Sequence, residues 1–372
     1  MKLTLERAVL LRSLSHVQNV VERRATVPIL SSVRLEAAGG EMRLNATDMD
    51  LEIALSAPAD VARGGATTTP AHTLFDIVRN LPEGSQVELE LIDETGQLAL
   101  RSGRSKFSLA CMDVEAFPLM AGVPQSHQFS MAAADLRSLM DRTRFAISTE
   151  ETRYYLNGIY LHAGRSDGVE VLRSVATDGH RLARMDVPLP PGAAGMPGVI
   201  VPRKTVGELC KLIDNVSGEV EVRVSESKIR FAFDETVLTS KLIDGTFPDY
   251  ERVIPEGNDK ILQVNCKRLV EAVNLVSAVS VDKTRAIKVS LSDGSLTLSA
   301  FGADSSSGVD ELEAEYEAEA MEIGFNARYL LDILGQITGE NVRFALANSG
   351  SPTMVREAAD ASAVYVLMPM RV

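Results

Sequence analysis

One sequence pattern occurs three times in this chain, at a spacing of about 120 to 130 residues. The first copy spans residues 30–48 and contains VRLEA and RLNATD, and the second spans 156–178 and contains YLHA and LRSVATD. A diverged third copy spans 287–302 and contains KVSLS and LTLSAF. A repeat of this length has the size of a domain rather than of a solenoid unit. Three similar domains favour an architectural role, because repetition multiplies a surface whereas a catalytic site needs only one copy.

Each copy predicts the same order of elements. An amphipathic helix comes first, and two strands of alternating polarity follow it. The apolar helix stripes are Leu10, Leu14, Val17 and Val21, then Leu136, Met140 and Ile147, then Leu269, Val273 and Val276. A second half begins with a short strand and a helix, predicted over 67–81, 199–213 and 322–334. We therefore predict an α+β fold of three similar domains, each made of two helix-plus-antiparallel-sheet halves with both helices on one side. The expected domain limits are 1–125, 126–253 and 254–372.

Composition constrains compartment and partners. The formal net charge of −13 argues against a nucleic-acid-binding protein unless basic residues gather on one local face. The cysteines Cys111, Cys210 and Cys266 are far apart and form no CxxC pair, so we expect reduced thiols and no metal site. The N-terminus has no apolar core of a signal peptide, and no run approaches transmembrane length, so a cytoplasmic protein without membrane contact is expected.

Few residues are candidates for chemistry. Asp48 and Asp178 recur in the Thr-Asp pair, and His180 follows the second, so they could be metal ligands or an acid–base pair. The alternative interpretation, which we favour, is a turn after a strand. The segment 103–106, GRSK, is predicted to be a basic strand rather than a phosphate-binding loop, and no nucleotide-binding motif is present. We therefore expect no catalytic residues and no cofactor.

Several longer segments resemble one family closely. These are RYYLNG from Arg153, ATDGHRL from Ala176, VPRK from Val201, SKLIDGTFPDY from Ser240 and the terminal YVLMPMRV. In register along the whole chain, they resemble the bacterial DNA polymerase III beta subunits, the replicative sliding clamps. The resemblance implies a non-catalytic processivity factor, a head-to-tail homodimer that closes into a ring around double-stranded DNA, with helices lining the hole. It also implies partners that carry short clamp-binding peptides: the DNA polymerase III alpha subunit, the clamp loader, other polymerases and repair proteins.

The resemblance offers a way to reconcile the acidic charge with DNA. Basic residues would lie on the lining helices, and the acidic excess, such as the alternating run Glu311–Glu319, would form an exposed outer strand. Contacts of this kind are non-specific and weaken with salt. The candidate DNA-contacting residues are Arg24, Arg137, Arg144, Tyr154, Tyr155, Arg203 and Lys204, with Lys211 as a further basic position. The open alternative is that these are ordinary surface arginines and lysines and partly buried tyrosines.

A peptide-binding cleft between the second and third domains also follows from the resemblance. Its matching positions are Leu156, Thr177, Gly179, His180, Arg181, Leu182, Pro248, Arg252, Val253, Asn326, Tyr329, Val366, Met368, Pro369, Met370 and Arg371. Leu182, Val253, Val366 and Met368 could form an apolar socket for a leucine or phenylalanine anchor, and methionine adapts to different guests. Without the resemblance, Val366 and Met368 would indicate a buried terminal strand.

The implied dimer interface joins the first domain of one copy to the third domain of another. Phe107 and Leu109 match the apolar contacts of the first surface, and Ala278 and Val279 those of the second. Arg101, Arg104 and Lys106 would make a basic edge strand, and Asp304, Asp310 and Glu311 its acidic counterpart. The alternative is ordinary protection of edge strands by charge.

Three positions depart from the family pattern. The segment Ala71–Thr73 lacks the Arg-Lys that related clamps often carry, Thr284 replaces an aromatic residue at the cleft, and Ala278 is smaller than its usual counterpart. Two other functions stay open at this point: a metal-dependent hydrolase using Asp48, Asp178 and His180, and a multidomain scaffold that does not touch DNA.

Overall fold

The computed structural model describes residues 1–23, 25–123, 127–280, 285–302 and 306–371. Element order repeats along the chain, with a strand and a helix, a group of strands, a second helix and further strands in each third.

The elements of the first third are β1 (Lys2–Glu6), α1 (Arg7–Val17), β2 (Ser32–Ala38), β3 (Glu41–Thr47), β4 (Leu51–Pro58), β5 (Asp60–Arg63), β6 (Gly65–Pro70), α2 (Ala71–Asn80), β7 (Gln86–Ile92), β8 (Gln97–Ser102) and β9 (Ser105–Ala110). Those of the middle third are β10 (His127–Ala132), α3 (Ala133–Arg144), β11 (Gly158–Ser166), β12 (Val169–Thr177), β13 (Arg181–Pro188), β14 (Val199–Pro202), α4 (Arg203–Leu212), β15 (Glu219–Val224), β16 (Lys228–Phe233) and β17 (Thr236–Lys241). Those of the last third are β18 (Lys260–Asn265), α5 (Cys266–Ser277), β19 (Ala286–Ser292), β20 (Ser295–Phe301), β21 (Ser307–Glu313), β22 (Glu315–Tyr316), β23 (Met321–Asn326), α6 (Ala327–Leu334), β24 (Asn341–Leu346), β25 (Thr353–Glu357) and β26 (Ala363–Leu367). Short 3₁₀ turns occupy Pro28–Ser31, Val114–Ala116, Glu151–Leu156 and Tyr250–Val253.

One compact unit comprises Met1–Arg137, Pro190–Pro197 and Lys204–Leu242. It contains a five-stranded sheet in the order β5-β1-β7-β8-β9 and an eight-stranded sheet in the order β10-β15-β16-β17-β4-β3-β2-β6. Helices α1 and α2 pack on each other, and α1 also packs on β4.

The other compact unit comprises Ser138–Leu189, Gly198–Arg203 and Ile243–Val372. It contains a nine-stranded sheet in the order β14-β11-β12-β13-β26-β25-β24-β18-β22 and a four-stranded sheet in the order β21-β20-β19-β23. Neighbouring strands are antiparallel in both units, so each sheet can be built from hairpins and returning connections.

The helices follow from the predicted apolar stripes and from local capping. Leu10, Leu14 and Val17 are buried on α1, which ends at Val17, so the predicted stripe member Val21 is buried outside the helix. The side chain of Asn326 accepts hydrogen bonds from two backbone amides at the start of α6, at 3.0 and 3.2 Å. Such a cap satisfies donors that a helix N-terminus otherwise leaves without partners.

Two predictions about strands are wrong in detail. The segment 103–106 is not one strand, because Gly103 and Arg104 form the turn of the β8–β9 hairpin. Glycine suits this turn, since Gly103 has a φ of +55°. The acidic run Glu311–Glu319 is also not one strand, because β21 ends at Glu313, whereas Glu315 and Tyr316 pair with β18 in a different sheet.

Among the helices of the described residues, none combines the length and the apolar character that crossing a bilayer requires.

Candidate functional site

An apolar cluster lies on one face of the nine-stranded sheet. Leu182 on β13 is directly opposite Val366 on β26, and both side chains are only 2% exposed. They pack with Leu156, Phe247 and Tyr250. The predicted site residues Leu156, Leu182 and Val366 are therefore brought together as one buried floor.

Exposed apolar side chains occur on the segments next to this floor. Val253 is 47% exposed and ends the 3₁₀ turn that begins with Tyr250 of the floor cluster. Met368 is 40% exposed and follows β26 directly. Pro248 is also exposed and lies next to Phe247 in the chain. We call the buried floor together with these exposed apolar neighbours the socket, because its apolar character suits the anchor side chain of a bound peptide.

The C-terminal segment is held in place by its backbone. The amide of Met368 donates to the carbonyl of His180 at 3.0 Å, and the amide of Met370 donates to the carbonyl of Gly324 at 2.8 Å. The His180 ring stacks on Tyr329 of α6, with ring centroids 6.0 Å apart. These contacts bring three more predicted cleft residues together, His180, Tyr329 and Met368, and they hold the backbone of Met370 against β23. Pro369 is partly exposed, Arg371 is exposed, and Arg252 pairs with Asp249 at 2.6 Å.

Arg181 connects the elements around the socket. Its guanidinium donates to Asp332 at 2.5 Å, to Asp178 at 3.1 Å and to the carbonyl of Phe145 at 2.8 Å. It also lies over the Tyr329 ring, 4.4 Å from the centroid. Because Arg181 is only 9% exposed, its main role is to hold α6 and the β12–β13 turn in place.

The Thr-Asp motif forms turns, which confirms the interpretation that we favoured. One Asp178 oxygen accepts from the amides of His180 and Arg181, at 2.9 and 3.1 Å. Gly179 has a φ of +87° within that turn, a conformation that glycine adopts readily. In the other unit, Asp48 accepts from the amides of Asp50 and Leu51 in the same way. Each aspartate directs its second oxygen at a cation, Arg181 or Lys204, so both carboxylates have a structural role in their turns.

A buried polar network next to the apolar floor was not foreseen from the sequence. Arg173 on β12 donates to both oxygens of Asp186 on β13, at 2.7 and 2.8 Å, and to the Tyr250 hydroxyl at 3.3 Å. Burial acts to lower the pKa of Arg173, but the bonds to Asp186 and Tyr250 outweigh it and raise that pKa. His162 bonds Tyr250 at 3.0 Å and stacks on Tyr160, while burial lowers the pKa of His162. The only sequence signal was the presence of polar residues at inward positions of two strands.

The predicted DNA-contacting residues are mostly exposed. Arg24 lies outside the described residues. Arg137 pairs with Asp214, Arg144 pairs with Asp141 at 2.9 Å, and Lys204 pairs with Asp48 at 2.6 Å. These pairs reduce the free positive charge of their helices. Of the remaining positions, Tyr154 is 54% exposed and Tyr155 is partly buried. Lys211 pairs with Glu208, whereas Arg203 is exposed and makes no ion pair within the described ranges.

The predicted dimer residues divide into available and buried side chains. Phe107 on the edge strand β9 is 39% exposed, whereas Leu109 is 6% exposed and already packed in its own core. The predicted basic edge strand is wrong in part, because only Lys106 lies on β9. Arg101 lies on β8 and pairs with Glu88, and Arg104 lies in the hairpin turn.

On the second dimer surface, Ala278 is exposed and Val279 is partly exposed, while Asp304 and the cleft position Thr284 fall outside the described residues. The sequence interpretation missed three strongly exposed apolar side chains here, Leu275, Phe301 and Val309, each at least 66% exposed. Their sequence signal was an apolar residue at an outward position: Leu275 lies off the apolar stripe of α5, and Phe301 and Val309 are exposed positions of β20 and β21. Exposed apolar groups on an edge strand and its neighbours mark an interaction surface.

Over the ranges described, no group of three or more His, Cys, Asp and Glu side chains is arranged to hold a metal ion.

Comparisons with known proteins agree along the whole chain. Family models for the N-terminal, central and C-terminal domains of the DNA polymerase III beta subunit match residues 1–121, 130–249 and 251–371. The beta sliding clamp of Caulobacter vibrioides is 48% identical, and that of Escherichia coli K12 is 38% identical, with all of each chain covered. A crystal structure of the C. crescentus beta sliding clamp with bound PEG has a TM-score of 0.98 at 48% identity, covering 100% of this chain and 99% of that one. A sliding clamp of Bartonella birtlesii bound to griselimycin has a TM-score of 0.97 at 48% identity, with both chains fully covered. The predicted three-domain α+β fold is therefore confirmed, and the chain belongs to the DNA polymerase III beta subunit family, the beta sliding clamps.

Proposed function

We propose that this chain is a non-enzymatic processivity factor, two copies of which close head to tail into a ring around duplex DNA. The observation that carries the proposal is the socket of Leu182 and Val366 with the exposed Met368, in a chain of the sliding-clamp family. A ring tethers by topology and therefore need not bind DNA tightly, whereas a polymerase must be held at a defined site.

The socket is the proposed site for short peptides of partner proteins. These partners would include the DNA polymerase III alpha subunit, the clamp loader, other polymerases and repair proteins. The buried floor would receive a leucine or phenylalanine side chain, and the flexible Met368 and Met370 would adapt to different sequences. The His180–Tyr329 stack and the Asn326 cap support this proposal, because they fix the neighbouring wall before a peptide arrives.

We propose that duplex DNA passes through the ring and that the helices line the hole. Arg203 and Tyr154 are exposed, and Arg137, Arg144 and Lys204 would exchange an ion pair with a carboxylate for one with phosphate. Such contacts carry no sequence information, which suits a protein that must slide.

The proposed dimer contact joins two sheet edges. Phe107 and Lys106 on β9 of one copy would meet Val309, Asp310 and Glu311 on β21 of the other. Leu275, Phe301 and Ala278 would extend the apolar part of the second surface. Opposite charges on the two edges favour pairing between unlike ends, which a closed head-to-tail ring requires. The domain limits 1–125, 126–253 and 254–372 remain our proposal for the three repeats.

A direct test uses the socket. We expect Met368→Ala combined with deletion of residues 370–372 to weaken binding of a polymerase-derived peptide at least ~10-fold, or about 1.4 kcal/mol. Fluorescence polarisation with a labelled peptide measures the affinity, and thermal melting checks that the variant is folded.

Met112→Ala is the matched control, because Met112 is a methionine of similar exposure, 43%, in the other unit. We expect the control to bind as the unmodified chain does. Undiminished peptide affinity in the truncated Met368→Ala variant would contradict the assignment of the socket.

A further inference from the structure

The sheet face that carries the socket continues beyond it. Leu182 is opposite Val366, and Val366 is opposite Met354 on β25. We call these three residues the apolar row. Leu182 and Val366 are buried, but Met354 is partly exposed, so the apolar floor extends one strand further than the family resemblance indicates.

A second row crosses the same strands two residues further along. Arg184 follows Leu182 by two positions on β13, and Arg356 follows Met354 by two positions on β25, so alternation places both on the same face as the socket. Arg343 on β24 is directly opposite Arg356. We call Arg184, Arg356 and Arg343 the basic row. Between its first two members lies Val364, which is opposite Arg184 and only 6% exposed.

The basic row has little compensating negative charge. Arg343 and Arg356 make no ion pair within 4.0 Å in the part of the chain that the structure describes. The two arginines lie directly opposite each other on adjacent strands, where like charges repel. Asp259, Glu315 and Glu317 line the same surface pocket as Arg343 without reaching it. Arg184 contacts Asp186 at 3.7 Å, but Arg173 already occupies both oxygens of that carboxylate.

Two buried donors in the row also have no acceptor. The Nε atoms of Arg184 and Arg343 are buried and make no hydrogen bond within the described ranges. Unmade hydrogen bonds of charged groups are unfavourable. A guanidinium can receive a carboxylate through two parallel hydrogen bonds, so an acidic group arriving at this face would improve the pairing of the row.

We propose that the basic row is a subsite of the peptide cleft that binds acidic side chains, with Arg356 and Arg184 as specificity-determining residues. The inference rests on the proposed peptide-binding function of the socket. Its occupant is a partner peptide that places an apolar anchor on the apolar row and an aspartate or glutamate next to that anchor. Continuity of the two rows on one face supports this occupant, as does the charge complementarity between arginine and carboxylate.

The experiment compares two synthetic peptides with the same leucine and phenylalanine anchors. One carries two glutamates after the anchors, and the other carries two glutamines. At low salt we expect the glutamate peptide to bind the unmodified chain about 10-fold tighter, because hydrogen bonds between charged groups are the strong ones. In Arg356→Gln this preference should fall to about threefold or less, with the affinity for the glutamine peptide unchanged.

Arg165→Gln is the matched control, since it removes one charge from an exposed arginine at the end of β11 and should keep the full preference. Arg184→Gln provides a second variant on the other side of Val364.

If neither peptide binds the unmodified chain, the proposed socket itself is wrong. If the glutamine peptide binds and the glutamate peptide has the same affinity, the proposed subsite for acidic side chains is wrong. It is also wrong if Arg356→Gln and Arg184→Gln both keep the full preference for the glutamate peptide. Inorganic phosphate that abolishes the preference at millimolar concentration, without affecting the glutamine peptide, would support an anion site at these arginines.

Discussion

At the scale of single residues, the Arg173–Asp186 pair sets the rigidity of the socket's surroundings. Arg173 is 3% exposed and Asp186 is 8% exposed, so both charges depend on each other rather than on water. Arg173 also reaches Tyr250, which belongs to the apolar floor. A buried pair of this kind is weak evidence for stability by itself, but breaking it leaves an uncompensated charge. The pair therefore fixes the position of Tyr250 more than it adds to the free energy of folding.

We expect Asp186→Ala to destabilise the unit that contains it by about 3 kcal/mol or more, because Arg173 would stay buried with only the exposed Glu251 as a counterion. The double variant Arg173→Met/Asp186→Ala should recover most of that loss. Hydrogen exchange of the amides in β12 and β13 measures the local stability, since the chain has no tryptophan to report it.

Glu251→Ala is the comparison for this prediction. Glu251 contacts the same guanidinium at 3.2 Å, but its side chain is 66% exposed, so its removal should cost less than about 1 kcal/mol. Equal losses in Asp186→Ala and Glu251→Ala would contradict the proposed role of burial.

At the scale of elements, the same strand arrangement serves two purposes. β4 pairs with β17 in one unit as β13 pairs with β26 in the other. Glu52 lies opposite Thr239 at the position that corresponds to Leu182 opposite Val366. The Glu52 carboxylate accepts from the amide of Met120 at 2.6 Å, and burial raises the pKa of Glu52. The β4–β17 pair is therefore covered by polar contacts at this position, whereas the β13–β26 pair carries the apolar socket.

The edge strands β9 and β21 supply the proposed dimer contact. We expect Val309→Asp to weaken self-association at least ~10-fold, because it would bury a carboxylate in the apolar contact that Val309 is proposed to make with Phe107. Light scattering across a dilution series measures the oligomeric state. Val169→Asp is the control, since Val169 is similarly exposed, 64%, at the start of β12, which is not an edge strand. Unchanged self-association of Val309→Asp would refute the edge assignment.

At the scale of the whole molecule, the net charge of −13 and the proposed DNA contact are compatible only if charge is segregated. Most of the candidate arginines and lysines already have acidic partners, so the attraction to DNA should be modest. A closed ring does not need a strong attraction, because it leaves DNA only by opening or at an end. Retention on DNA should therefore depend on topology, while the affinity for linear DNA should depend on salt.

We expect the loaded protein to stay on a nicked circular DNA and to be released when the circle is cut. On linear duplex, Arg203→Gln should reduce the slope of log affinity against log salt by about one, since each phosphate contact contributes about one to that slope. Filter binding or anisotropy between low and moderate salt measures the slope. Arg63→Gln, which replaces an exposed arginine paired with Asp93, is the control and should leave the slope unchanged. Release from the intact circle at the same rate as from the cut one would contradict a closed ring.

The repeat and the alternation of polarity were enough to predict the element order and the α+β class. They depend on local periodicity, which the chain retains in all three copies even where residues differ. The Thr-Asp turns were predicted correctly for the same reason, because Asp178 accepts amides only two and three residues away. The ends of elements were less predictable: Arg104 in a turn and the break after Glu313 depend on strand pairing across a sheet.

By itself, the sequence determined that the chain repeats one α+β design three times and that no copy carries a catalytic motif. Only the tertiary structure decided which side chains share a face. Leu182, Val366 and Met354 come from three strands, two of them far from the first in sequence, and register alone makes them one row. The same holds for Arg184, Arg356 and Arg343, and for the exposed Val309 on the edge strand β21. The physical reason is that burial and charge balance depend on neighbours across strands, which a linear pattern does not specify.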